Sequence, residues 1–295
     1  MTSPVLSRRA VLTATGLVFV GSAAIQLSSA ISSTLFASYG TVGTSALRML
    51  IAAALLLVLV RPRVRRRSRS EWLGIVGYGA AMAAMNVSLY AAVDRLPLGV
   101  AVTLEFLGPC AVALVAARRV REGACALLSL GGVVLISAGP SGYFDALGYA
   151  AGLLAAVFFG LYTVFAARVG AAGGGLDGVA LSVGVAALCT APFAVARVPE
   201  VTAPDWGWLA VSAVLGVAVP GTVDALAGRV TSARVIGVLF AFDPALGAVV
   251  GLTVLGESLR LTALLGILLV VAAGALLVWF SGSPDDAAAG PTPAP

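Results

Sequence analysis

The chain contains no lysine and no histidine, and charged residues make up only 11% of its 295 positions. A soluble domain carries about 25%. Without histidine, a zinc site and a His-based catalytic group are excluded. Cysteine is scarce as well: Cys110, Cys125 and Cys189 all lie inside apolar runs, and none is spaced for metal or redox pairing. They read as small packing residues, and the sequence implies no cofactor. Aromatics amount to 7%. What remains is 60% hydrophobic, with a mean hydropathy of +1.05, the composition of a polytopic membrane protein. A net charge of +5 and a pI near 9.6 would suggest nucleic acid for a soluble chain. Here the bilayer is the expected partner, because the arginines cluster in loops on one side of it.

Ser7-Arg8-Arg9 followed by an apolar run resembles a twin-arginine export signal, with Ser28-Ser29-Ala30 as a conceivable cleavage site. A processed exported protein would then turn polar, whereas this chain stays apolar for some 250 more residues. Arg8 and Arg9 therefore read as the cytoplasmic anchor of a first span.

Crossing the hydrocarbon core takes about 20 apolar residues in a helix. On that measure ten spans are expected: Ala10–Ser32, Thr41–Val60, Trp72–Val93, Pro97–Ala117, Gly123–Gly139, Ala146–Ala167, Leu176–Ala196, Trp206–Asp224, Val235–Leu255 and Leu261–Phe280. Ser33–Gly40 is the expected first loop. Residues 281–295, rich in Pro, Ala and Asp, read as a disordered tail. With the N-terminus inside, fourteen arginines fall on the cytoplasmic side, against Arg95, Arg197 and Arg260 outside. That satisfies the positive-inside rule and places both termini in the cytoplasm.

A shift of 138 residues sets Glu105 on Asp243, Gly99 on Gly237 and Asn86 on Asp224; a shift of 135 sets Glu122 on Glu257. This periodicity divides the chain into a cytoplasmic segment 1–9, a five-span half 10–139, a connector 140–145 and a second half 146–280. An odd number of spans per half makes the halves cross in opposite senses. The expected fold class is thus an all-α polytopic membrane protein, ten transmembrane helices as two inverted five-helix repeats. Such a plan puts a substrate site near the midplane between halves.

The most informative stretch is Leu104-Glu105-Phe106-Leu107-Gly108-Pro109. Glu105 is the only ionisable group between Leu96 and Ala117. An acid at the centre of a span costs roughly 2.5–3.5 kcal/mol on insertion scales, so Glu105 should face a polar interior, where it can bind a proton, a cation or a substrate ammonium. Pro109 lacks an N–H and leaves the Glu105 carbonyl without its helical donor. Asp243-Pro244 looks like a second copy of this device. Asp224 follows Pro220-Gly221, which should loosen its helix, and it reads equally well as a solvated interfacial acid or a gate. Arg48 can snorkel or pair with an acid, and reads as a structural anchor. Gln26, Asn86, Tyr90 and Tyr162 are candidate pore-lining groups. A structural polar contact between helices is the plainer alternative for each of the intramembrane acids. Trp72, Trp206, Trp208 and Trp279 suit the interfacial belt.

Two stretches, Ala46-Leu-Arg48-Met-Leu-Ile-Ala in the second span and Gly237-Val-Leu-Phe-Ala-Phe-Asp243-Pro244 through Glu257 in the ninth, resemble the drug/metabolite transporter superfamily in its ten-span EamA-type branch. Leu96-Pro-Leu-Gly through Glu105-Phe-Leu-Gly-Pro109-Cys is similar to the threonine/homoserine exporter group of the bacterial inner membrane. The resemblance covers about residues 10–280. It implies a proton-driven exporter of small metabolites with a cavity lined by the third, fourth, eighth and ninth spans. Asp243 stands where that group commonly has Glu before Pro, and Asp224 likewise replaces a longer acid. The substrate/proton-binding residues expected are Glu105, Asp243, Asp224, Asn86 and Tyr90.

The leading functional expectation is export of an amino acid such as threonine or homoserine by proton antiport. The alternatives are a drug or lipophilic-cation exporter of the same fold, for which the cavity spans hold few aromatics, and a non-transporting membrane scaffold. A membrane enzyme would need catalytic groups clustered at a wet span end, and the acids here are isolated. The sequence leaves a homo-oligomer open.

Overall fold

A computed structural model of the chain describes residues 8–64, 67–116, 120–137, 145–171, 175–220 and 242–281. Among the described residues every regular element is helical. The helices are α1 (Arg8–Ser33), α2 (Phe36–Val60), α3 (Arg69–Val93), α4 (Leu98–Ala116), α5 (Val120–Ser137), α6 (Ala146–Ala171) and α7 (Gly175–Arg197). A 3-10 turn (Val198–Glu200) leads to α8 (Ala203–Ala213), which continues into a π-helical stretch (Val214–Ala218). Then come α9 (Asp243–Val254) and α10 (Leu261–Ser281). Phe36–Val60, Arg69–Val93, Ala146–Ala166 and Leu176–Glu200 are long and apolar enough to cross a membrane, and shorter apolar helices accompany them. Residues 1–7 of the expected cytoplasmic segment 1–9, most of the connector 140–145, Asp224 and nearly all of the tail lie outside the described residues.

Local chemistry sets the helix ends. The Ser68 hydroxyl accepts from the Glu71 N–H at 3.2 Å, and the Glu71 carboxylate accepts from the Ser68 N–H at 2.6 Å. This reciprocal cap starts α3 where the basic loop stops. The first loop is shorter than expected. Phe36 to Tyr39 is already helical, and the chain bends at Gly40, whose φ of 70° a side chain would resist.

In lipid there is no water to expel, so helices associate through close packing and polar contacts. Glycine supplies the closeness here. A Cβ on Gly108 would run into the Ala156 carbonyl oxygen, which lets α4 lie against α6. Gly132 and Gly266 do the same for α5 and α10, and Gly79 for α3 and α7. The contacts of α3 with α6 and α7 have counterparts in those of α8 with α1 and α2. That of α4 with α6 has a counterpart in α9 with α1, while α2 meets α7, α4 meets α9 and α5 meets α10.

The crossing of α4 and α9 matters most for function. Leu98 Cβ lies 3.6 Å from where a Gly251 Cβ would sit, Gly99 is opposite Ala248, and Val102 is opposite Gly247. Positions ascend in one helix as they descend in the other, so the two run antiparallel. That register carries Glu105, two turns into α4, toward Asp243 at the beginning of α9.

Candidate functional site: a buried polar cluster between helices

Glu105 is buried, 7% exposed, with Leu104 and Phe106 packed beside it in the core. Among the described residues its Oε1 has no hydrogen-bond partner. Asp243, half-buried, and Arg48 are both within electrostatic reach of it. The register of α4 on α9 thus brings together the two acids that the sequence places 138 positions apart. Pro109 removes one helical hydrogen bond but does not end α4, which runs on to Ala116. Pro244 behaves differently: it occupies the first turn of α9, where a missing N–H costs nothing. Pro220 is buried at the end of the described part of the eighth expected span.

Arg48 does not snorkel, one of the two arrangements its sequence position allows. It stands twelve residues from either end of α2, about 18 Å at 1.5 Å per residue. That is beyond the reach of a guanidinium, and the residue is 4% exposed. Its Nη1 donates to Ser28 Oγ at 2.9 Å and its Nη2 to Asn86 Oδ1. Its Cζ lies 4.9 Å from the centroid of the Tyr90 ring, a cation–π contact. Asn86 is steadied from behind, its Nδ2 donating to the Met82 carbonyl at 3.0 Å.

A serine relay continues outward from the arginine. Ser28 Oγ donates to the Ser212 carbonyl at 2.8 Å, and Ser212 Oγ donates to the Ser28 carbonyl at 3.1 Å. Ser212 Oγ lies 2.7 Å from Ser32 Oγ, which accepts from the Tyr90 hydroxyl at 2.7 Å. Asn86 and Tyr90, both expected to line the site, therefore belong to one network that ties α1, α2 and α3 to α8. Gly216, in the π-helical stretch, completes the fit. A Cβ there would sit 2.5 Å from Ser28 Oγ and 2.7 Å from Arg48 Nη1. Single-turn π segments inside α-helices are frequent at functional sites. Tyr162 joins an aromatic cluster instead, 4.7 Å from Tyr78 and 5.6 Å from Phe159.

Ser28, Ser32, Ser212 and Gly216 are absent from the sequence-based set. The i, i+4 spacing of Ser28 and Ser32 puts both hydroxyls on one helix face, which is a usable signal. Ser212 and Gly216 carry none, because their role comes from a helix remote in sequence. Glu257 is a further omission. It follows Gly256, whose φ is 65°, and its two carboxylate oxygens accept from the Leu98 N–H, each at 3.0 Å. Burial pushes this carboxyl up from its ordinary value, and the Leu98 bond opposes the shift.

Among the described residues, membrane-length apolar helices enclose an arginine, two acids and an amide, an arrangement that fits a membrane transport protein, and the relatives of the chain point to that class. The EamA-like transporter family model matches residues 146–279. The chain is 31% identical over 264 residues to the threonine/homoserine exporter RhtA of Escherichia coli strain K12, spanning 87% of this chain and 88% of that one. The Salmonella typhimurium strain LT2 protein of the same name is 30% identical over the same spans. The chain belongs to the EamA-like transporter family, on the threonine/homoserine exporter side of it. A solved crystal structure superposes with a TM-score of 0.62 over 93% of this chain and 97% of the other, at 22% identity; that likeness concerns the fold alone.

Proposed function

We propose that this protein exports a small amino acid of the threonine/homoserine kind across the bacterial inner membrane in exchange for protons. The observation that carries the reading is Glu105: a buried carboxyl with an unpartnered oxygen, within reach of Asp243 and Arg48. A carboxylate in that position can hold a substrate ammonium or a proton but not both, and competition between them couples the two fluxes. Asp243 contributes a second acid, and Asp224 is assigned to the inner end of the same pathway. Pro109 and Pro220 free backbone carbonyls or loosen helices along it, and Pro244 starts the helix that carries Asp243.

The relatives named above support the substrate class. The paired helix contacts support ten spans as two inverted halves: exchanging α1 with α6, α2 with α7, α3 with α8, α4 with α9 and α5 with α10 turns most of the first half's contacts into those of the second. Rocking of such halves about the Glu105 locus gives alternating access. The arginine distribution supports both termini in the cytoplasm.

The test is efflux from cells overproducing the protein, preloaded with a panel of amino acids and with an ethidium-like cation. Export of threonine or homoserine that is lost in Glu105→Gln, at equal membrane abundance, supports the reading. Export of the cation alone, or unaltered export by the variant, contradicts it.

A further inference from the structure

Arg48 is a buried cation whose compensation is incomplete. Its acceptors, Ser28 and Asn86, are neutral, and among the described residues no carboxylate lies within 4.0 Å of it. Among the described residues its Nε–H has no partner. Leaving a buried charge so weakly matched is costly, and natural cores rarely do it without a reason. The open edge is also the one that matters chemically, because the planar guanidinium grips a carboxylate in a two-bond fork.

Two further atoms unpartnered among the described residues belong to the same region. One is Glu105 Oε1, and the other is Oε1 of Gln26, which is 2% exposed. Gln26 Oε1 lies 3.4 Å from where a Cβ on Gly247 would stand, and Gly247 faces Val102, one turn before Glu105. The locus thus offers a positive donor edge and two acceptors. Arg48 and Glu105 interact electrostatically yet do not pair with one another. An α-amino acid zwitterion presents the complementary set: a carboxylate at one end, and an ammonium with three donors at the other.

We infer that Arg48 anchors the α-carboxylate of the transported amino acid through its Nε edge, while Glu105 and Gln26 receive the ammonium. This rests on the export reading above and deepens it. Ser28, Asn86 and Tyr90 are positioning residues that hold the guanidinium plane, and Gly216 leaves room for it. Arg48 then selects zwitterions over amines of the same size.

The experiment uses the full-length protein purified in nanodiscs, with thermal stabilisation by ligand as readout. The probes are L-threonine and L-threoninamide, which keeps the ammonium and side chain but lacks the carboxylate. Wild type should bind threonine more tightly. Arg48→Gln and Arg48→Lys should weaken threonine binding about tenfold or more, the scale of a charge-assisted hydrogen bond, while leaving threoninamide binding unchanged. Arg48→Lys keeps the buried charge, so it serves if Arg48→Gln does not fold. Equal affinity of the wild type for both probes, or a threonine preference that survives in the Arg48 variants, overturns the inference and leaves amino-acid export standing. Failure of the wild type to bind any amino acid overturns both.

Discussion

The carboxylate of Glu257 closes over the N–H of Leu98, 159 positions earlier in the chain, with both of its oxygens at 3.0 Å. It caps α4, the helix that carries Glu105, from the turn that follows α9. Glu257→Ala leaves that N–H without its acceptor and removes a negative charge from the positive end of the helix, costing about 0.5–2 kcal/mol. Glu257→Gln restores an acceptor without the charge and should fall between the two. Thermal unfolding in detergent reads the order wild type, Gln, Ala.

Gly216 is where the serine relay and the arginine meet. Gly216→Ala places a methyl group on Ser28 Oγ and Arg48 Nη1, and overpacking of this kind costs about 1–3 kcal/mol. Transport should fall by more than the stability loss explains, because the guanidinium moves with the helix. Initial efflux rates, normalised to folded protein, measure this.

Acid should weaken the N-terminal end of α8. The Tyr39 hydroxyl donates to Asp205 Oδ2 at 2.6 Å and the Thr202 hydroxyl at 2.7 Å. Those bonds, Tyr39 first, hold the Asp205 carboxyl below its usual range. A carboxylate depressed by folding adds stability above its unfolded value, about 3.9, and loses it as pH falls through the lower folded value. Asp205→Asn should therefore lower the melting temperature near neutrality, and the gap to wild type should close below about pH 4. A constant gap from pH 3 to 7 counts against this.

Much of the fold was legible because arginines interrupt the apolar runs so sharply. α6 begins at Ala146 and α10 at Leu261, where the runs begin. Glu105 was legible as a buried acid because hydrocarbon makes any other placement expensive. The serine relay was not, since a hydroxyl is cheap to bury anywhere along a helix and only the packing of α8 on α1 gives Ser212 its partners. The partners of Arg48 are not legible for a related reason. Its length suggests an escape to the interface, but its position halfway along α2 forbids it. Asp243-Pro244 looked like a repeat of the Glu105 device, yet its proline adjoins the acid and starts a helix, whereas Pro109 stands inside one.

Proton coupling through Glu105 is tested most directly in proteoliposomes holding purified protein and labelled threonine, with an imposed pH gradient and no other ion gradient. The expected result is threonine movement driven up its own gradient by wild type. Glu105→Gln should fail to concentrate it, while still binding threonine measurably through Arg48. Equal accumulation by the two proteins, or accumulation that ignores the pH gradient, would contradict the account.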